Sequence, residues 1–243
     1  MITVCVPFLD PHENFLPHFI EWYAANKRQH DLRLEFQQRR PLHKVQAAAV
    51  ELARKNKSSH ILFTEDDHWG FPVDGLEVLL EEDKEVIGFW TISRRYPFNA
   101  LCMRRNDESL PITQTEIPNM HPFERVDSEQ EMVQKTDLLS WAFTLVETKV
   151  FDFIDDPFTQ WGEVPTDSQF CHNCQERGID RWIHFGYGMP HADIVPNERY
   201  AHHRSHMIMR SMRGLPQLPN HLEKTDDEYR LPNVEHSESE PAL

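Results

Sequence analysis

Apolar positions in the first ninety residues follow two alternating periods. Ile2-Thr3-Val4-Cys5-Val6 is a β-branched run closed by Pro7 and predicts a first strand. Phe15, Phe19, Ile20, Trp22 and Tyr23 recur at helical spacing to about residue 27. Leu32, Leu34 and Phe36 alternate with Arg33 and Glu35, the pattern of a half-buried strand. Pro41 suits a helix first turn, and Val45, Ala48, Ala49 and Leu52 then line one face up to about Lys57. Ser59 to Phe63 reads as a third strand, Val73 to about Glu82 as a helix carrying Leu76, Leu79 and Leu80, and Val86 to Trp90 as a fourth strand.

Strands alternating with helices of this length predict an α/β protein with a mostly parallel sheet. Right-handed crossovers bring the carboxyl ends of such strands to one edge, where open sheets bind their ligands. Beyond Arg94 the pattern is less regular, and residues 94–137 read as hairpin-like strands and loops. Leu138 to Val146 is expected as a strand, Thr148 to Ile154 as a short helix and Thr166 to Arg177 as a helix ended by Gly178, with Thr or Asp available as N-cap. Trp182-Ile183-His184-Phe185 reads as a late strand. Pro, Asn, Asp, Glu and Ser dominate from about residue 215, which predicts a flexible acidic tail.

The third strand runs directly into Glu65-Asp66-Asp67. Adjacent carboxylates repel and are costly to desolvate, so such a triplet is either a solvated turn or a site for a cation. A hard divalent ion is the natural counter-charge, since it takes oxygen ligands and bridges to phosphates.

Composition narrows the options. With 39% hydrophobic and 27% charged residues the chain is globular. A net charge of -15 disfavours non-specific attraction to nucleic-acid phosphates over the whole surface. Only eight glycines occur and the first is Gly70, so neither a Rossmann fingerprint nor a P-loop lies in the first strand-to-helix turn. Four scattered cysteines read as reduced thiols of a cytosolic protein. The N-terminus has no secretory-signal pattern, and no apolar stretch reaches the roughly 20 residues of a membrane span. Cys171-His172-Asn173-Cys174 lacks the second pair that a zinc site needs, so its thiols read as core residues.

Four segments together resemble a GT-A glycosyltransferase, of the small family-2-like type found in bacteria and phages. They are His60 to Asp67 with Phe71-Pro72, similar to that family's acidic "DxD" motif; Val86 to Trp90 with Arg94-Arg95-Tyr96-Pro97; Leu139 to Val146 with Val150-Phe151; and Trp161-Gly162-Glu163 with Thr166-Asp167 and Gly178, similar to the segment of the "ED" pair. The likeness spans roughly residues 1 to 195. Three departures stand out: Glu65 replaces the first Asp, Thr166 takes an acidic position, and Gln46-Ala47 stands where Arg-Asn is usual.

The resemblance implies a single GT-A-like catalytic domain over 1–214 ahead of a 215–243 tail. It implies transfer of a hexosyl or pentosyl group from a nucleotide-sugar to an unknown acceptor hydroxyl of a glycan, a protein or a modified nucleic-acid base. Asp67 and His191 would hold Mn²⁺ or Mg²⁺, with His184 the alternative to His191. Pro7, Arg39, Lys44, Glu65, Asp66 and Arg94 would face the donor, Arg40 being an alternative to Arg39 or Lys44. Trp141, Trp161 and Glu163 would face the acceptor. Asp167 would be the catalytic base, although a helix-start position lowers a carboxylate's pKa and weakens it for that work. The basic segment Arg199–Arg213 would close over a diphosphate or meet a polyanionic acceptor. The location implied is the cytoplasm of a bacterium or of a phage-infected host. A rival from another class is an inactive GT-A-like module that binds a carbohydrate or partner; a metal-dependent phosphohydrolase is a third reading.

Overall fold

The periodic runs of the first ninety residues become the elements that their periods predict. The computed structural model describes residues 1–38, 41–92, 100–105, 120–122, 132–158 and 165–192. In chain order these give β1 (Ile2–Phe8), α1 (Phe15–Asn26), β2 (Leu32–Gln38), α2 (Leu42–Asn56), β3 (His60–Phe63), α3 (Gly75–Glu81) and β4 (Val86–Thr91). Then follow β5 (Met103–Arg105), β6 (Met120–Pro122), β7 (Val133–Thr136), β8 (Thr144–Glu147), a 3₁₀ turn (Thr148–Asp152), α4 (Thr166–Glu176) and β9 (Arg181–Met189). β5 and β6 form an antiparallel pair apart from the main sheet.

The main sheet has seven strands in the order β2-β1-β3-β8-β4-β9-β7. β1 runs parallel to β2 and β3, and β9 is parallel to β4. β8 is antiparallel to both β3 and β4, so β4 and β3 share a direction, and only β8 and β7 run against the rest. The sheet is therefore mixed but mostly parallel. Helices cover both faces. On one side α2, α4 and the 3₁₀ turn bury Val45, Ala49, Phe151 and Phe170 against Cys5, Ile61 and Phe63. On the other, α1 and α3 bury Phe15, Phe19, Trp22 and Leu76 against Val4, Leu62 and Ile87.

Two expectations change. The strand expected over 138–146 is a strand only from Thr144 to Glu147, with Leu138 joined to Met103 by an isolated bridge. Upstream of it, Leu139 to Phe143 form a buried bend in which hydroxyls take two carbonyls: Thr144 Oγ1 donates to Ser140 O at 2.6 Å, and Thr64 Oγ1 to Ala142 O at 3.1 Å. Hydroxyl groups thus do there what a ladder would do. The bend also fixes Gly88, because a Cβ at that position would collide with Thr144 Oγ1.

The second change concerns α4. Its N-cap is Pro165, without a side-chain bond, so Thr166 and Asp167 lie inside the first turn. No helix among the described residues is long and apolar enough to cross a membrane. Arg199–Arg213 and the 215–243 tail lie outside the described residues.

Candidate metal and transfer site

The strand directions bring the ends of β1, β3, β4 and β9 and the start of β8 to one edge. The acidic triplet leaves β3 at this edge, and each carboxylate meets a different environment. Asp66 points back to the β1 exit, where its Oδ2 accepts hydrogen bonds from the amides of Leu9 and Asp10 at 2.6 and 2.9 Å. Burial raises its pKa, and those two bonds offset part of the rise. Glu65 is half-buried, 3.9 Å from His68 Nδ1. Asp67 turns toward the end of β9.

There His191 completes a pair separated by 124 residues in sequence. Its Nε2 lies 3.1 Å from Asp67 Oδ2, and its Nδ1 lies 2.8 Å from the Ile92 carbonyl. The loop is pinned by Ala192 N donating to Asp67 O at 2.7 Å and Trp69 Nε1 donating to Ala192 O at 2.7 Å. Ala192 adopts φ 51°, a left-handed conformation that costs energy for a residue with a Cβ. Strain of that kind persists only where surrounding bonds over-determine it, as these do.

A carbonyl can only accept, so His191 Nδ1 carries a proton. Nε2 then either carries a second proton, forming an ion pair with Asp67, or presents a lone pair to whatever cation lies between it and the carboxylate. Committing Nδ1 to a backbone carbonyl is also how ligating histidines are oriented. Burial on its own raises the Asp67 pKa. Hydrogen bonds from His191 and His68 outweigh that effect and hold the carboxylate far below its usual range.

His68 is the residue that sequence reasoning missed. Its Nδ1 lies 3.2 Å from Asp67 Oδ1, and its side chain is fully buried. Possible ligand atoms of Asp67, His68 and His191 all fall within 4.8 Å of one another, so the three form a candidate metal group. The two imidazoles stack, however, at 4.3 Å between centroids and 20° between planes. Ring lone pairs lie in the ring plane, and two nearly parallel rings do not aim theirs at one point. Asp67 and His191 are thus the pair disposed to hold an ion, with His68 packed behind them. Its only sequence signal is adjacency to the triplet.

The alternative histidine lies elsewhere. His184 is buried within β9, edge-on to Phe89 at 5.4 Å, and its Nδ1 accepts from Gly186 N at 3.0 Å. It plays no part at Asp67.

Asp167 sits in the first turn of α4. Thr166, beside it, accepts a hydrogen bond from Trp141 Nε1 at 3.2 Å, which fastens the helix start to the bend next to β3. Asp167 Oδ1 accepts from Ser168 N at 2.6 Å. Burial nevertheless pushes its pKa up to about 6, so desolvation overrides the lowering expected from a helix start.

Other expected site residues fare differently. Trp141 is not free to meet an acceptor: it is 1% exposed and its ring packs on Phe63, Phe158 and Phe170. The bend that leaves the β8 ladder tucks it into the core. Pro7 is buried within β1, opposite Gln37 of β2. Lys44 is exposed on α2 and lines a cavity of about 550 Å³ with His43, Arg54, Asp155 and Phe158, separate from Asp67. Gln46 is 1% exposed, so it does not take over the contacts of the usual Arg-Asn. The Cys171 and Cys174 thiols are free and buried, as expected of core residues. Arg39, Arg40, Arg94, Trp161 and Glu163 lie outside the described residues.

No family model matches the chain, and no curated protein does. Among solved structures it is similar to the crystal structure of A197 from STIV, with a TM-score of 0.52 and 12% identity over 82% of this chain and 92% of that one. At that identity the likeness concerns fold alone. It agrees with a GT-A-like α/β architecture, a mixed and mostly parallel sheet flanked by helices.

Proposed function

We propose that this protein is a metal-dependent GT-A-type glycosyltransferase that moves a sugar from a nucleotide-sugar to an acceptor hydroxyl. The observation that carries this reading is the meeting of Asp67 Oδ2 and His191 Nε2 at 3.1 Å while Nδ1 is committed to Ile92 O. A carboxylate and an imidazole from two strand ends, at the edge where such sheets bind ligands, are a donor set for a divalent ion. One oxygen and one nitrogen donor favour Mn²⁺ over Mg²⁺, which prefers oxygen alone. The bound ion would neutralise charge on the departing nucleoside diphosphate.

The protein's own groups supply the rest. Glu65 stands beside the metal pair with a partly exposed carboxylate, able to accept from donor hydroxyls or from water. Asp66 shapes the β1 exit through the Leu9 and Asp10 amides, setting the wall on the donor side. Asp167 is poised near neutrality by burial, which suits a proton acceptor for a sugar or serine-like hydroxyl. Its helix start is held to the same edge through Trp141.

Thermal unfolding with Mn²⁺ and a panel of UDP, GDP, CMP and TDP sugars tests this. A stabilisation that requires both ion and nucleotide is expected, and so is its loss in Asp67→Ala. No shift with any nucleotide, together with unchanged metal affinity in Asp67→Ala, would overturn the proposal. Release of nucleotide from the donor without acceptor separates an enzyme from an inactive binding module.

A further inference from the structure

β2 is an edge strand. It pairs with β1 along its whole length, and among the described residues no strand lies on its outer side. An unpaired edge is a template for another strand unless charge, proline or a bulge blunts it. Here it is seven residues long, without proline, and its α1-side face carries Leu34 at 37% and Phe36 at 43% exposure.

The flank of α1 above this edge is apolar as well. His18 and Trp22 reach inward, to Trp69 at 5.4 Å and to Phe143 of the central bend at 5.5 Å. The opposite stripe, Leu16, Ile20 and Tyr23, therefore lies on the side of α1 turned away from those contacts, since residues three and four apart share a helix face. Leu16 and Ile20 are exposed. Phe8 bridges the helix and the edge, 6.2 Å from Phe15 and 4.7 Å from Phe36. Strand edge and helix flank form one apolar surface.

We infer that this surface binds a second copy of the chain, β2 against β2, antiparallel across a two-fold axis at Leu34. The charge pattern selects that register. With the axis at Leu34, Arg33 lies opposite the partner's Glu35 and Glu35 opposite the partner's Arg33, giving two cross-strand ion pairs. With the axis at Glu35, that carboxylate would instead face the partner's Glu35, which is unfavourable. The Leu34 register also sets Leu32 against the partner's Phe36. The interface is isologous, as a two-fold requires. The acidic, proline-containing stretch 215–243 offers no matching alternation for this edge.

Sedimentation equilibrium on the full chain tests the inference. A dimer is expected, with Arg33→Glu and Glu35→Arg each raising its dissociation constant roughly tenfold or more. The double variant, Arg33→Glu with Glu35→Arg, should restore the dimer, which a merely misfolded single variant would not explain. Leu34→Lys, which sets two ammonium groups on the axis, should give a monomer whose Mn²⁺ response is unchanged. A wild-type chain that stays monomeric at all concentrations overturns the inference. So does a dimer indifferent to charge reversal, or an edge that pairs only once residues 215–243 are removed, since the tail is then its occupant.

Discussion

Two carboxylates stand at the same sheet edge, and their surroundings drive them in opposite directions. Burial acts on both. At the end of β3, two imidazoles bond to Asp67 and hold it ionised far below the usual range. At the start of α4 Asp167 accepts from Ser168, its one side-chain partner among the described residues, and burial carries its pKa to about 6. Under the proposed transferase reading, such a pair of acids would supply a permanent anion for a cation and a second group able to exchange protons near neutrality. What distinguishes them is the company of histidine at Asp67 and the fuller enclosure of Asp167.

The contrast can be broken from several sides. The largest expected effect is at Trp141, which fills the core and holds Thr166: Trp141→Ala should cost about 4 kcal/mol in denaturant unfolding. It should also lower the Asp167 pKa by admitting water.

Asp167→Asn comes next. A carboxylate whose folded pKa is raised contributes stability below its unfolded pKa of about 3.9, and that contribution is lost as pH rises through about 6. Moving from pH 3 to pH 7 should therefore favour Asp167→Asn over wild type by up to ~3 kcal/mol, read from unfolding at each pH. Asp67 has the opposite sign, because its contribution is present above pH 4 and fades as pH falls. With Mn²⁺ at one hundred times its dissociation constant, wild type should gain about 2.7 kcal/mol and Asp67→Ala nothing. The smallest effect is expected for Asp66→Ala. It frees the amides of exposed Leu9 and Asp10, which water can satisfy, so about 1 kcal/mol is lost and metal affinity is kept.

Much of this edge was legible in the chain. The period of each apolar run identified β1 to β4 and the helices between them, and the run ending in Glu65-Asp66-Asp67 placed the carboxylates at a strand exit. Spacing did not tell His191 from His184, since both follow apolar residues of one late strand. Only the β4–β9 register, with its shift between Phe89 and Trp90, sends His191 to Asp67 and leaves His184 within the sheet. Trp141 misleads for a similar reason. Its neighbours read as an uninterrupted strand, while Ser140 and Thr144 capture the backbone bonds and bend it inward. The Asp167 pKa was beyond reach of the sequence, because burial is a property of the packed helix and not of its first turn.

One measurement tests the central claim most directly: an electron paramagnetic resonance titration of Mn²⁺ into wild type, Asp67→Asn and Asp167→Asn. One ion per chain should bind to wild type and to Asp167→Asn, with affinity lowered more than the ~10- to 100-fold typical of a lost supporting partner in Asp67→Asn. Equal binding by wild type and Asp67→Asn, or no binding by either, would contradict it.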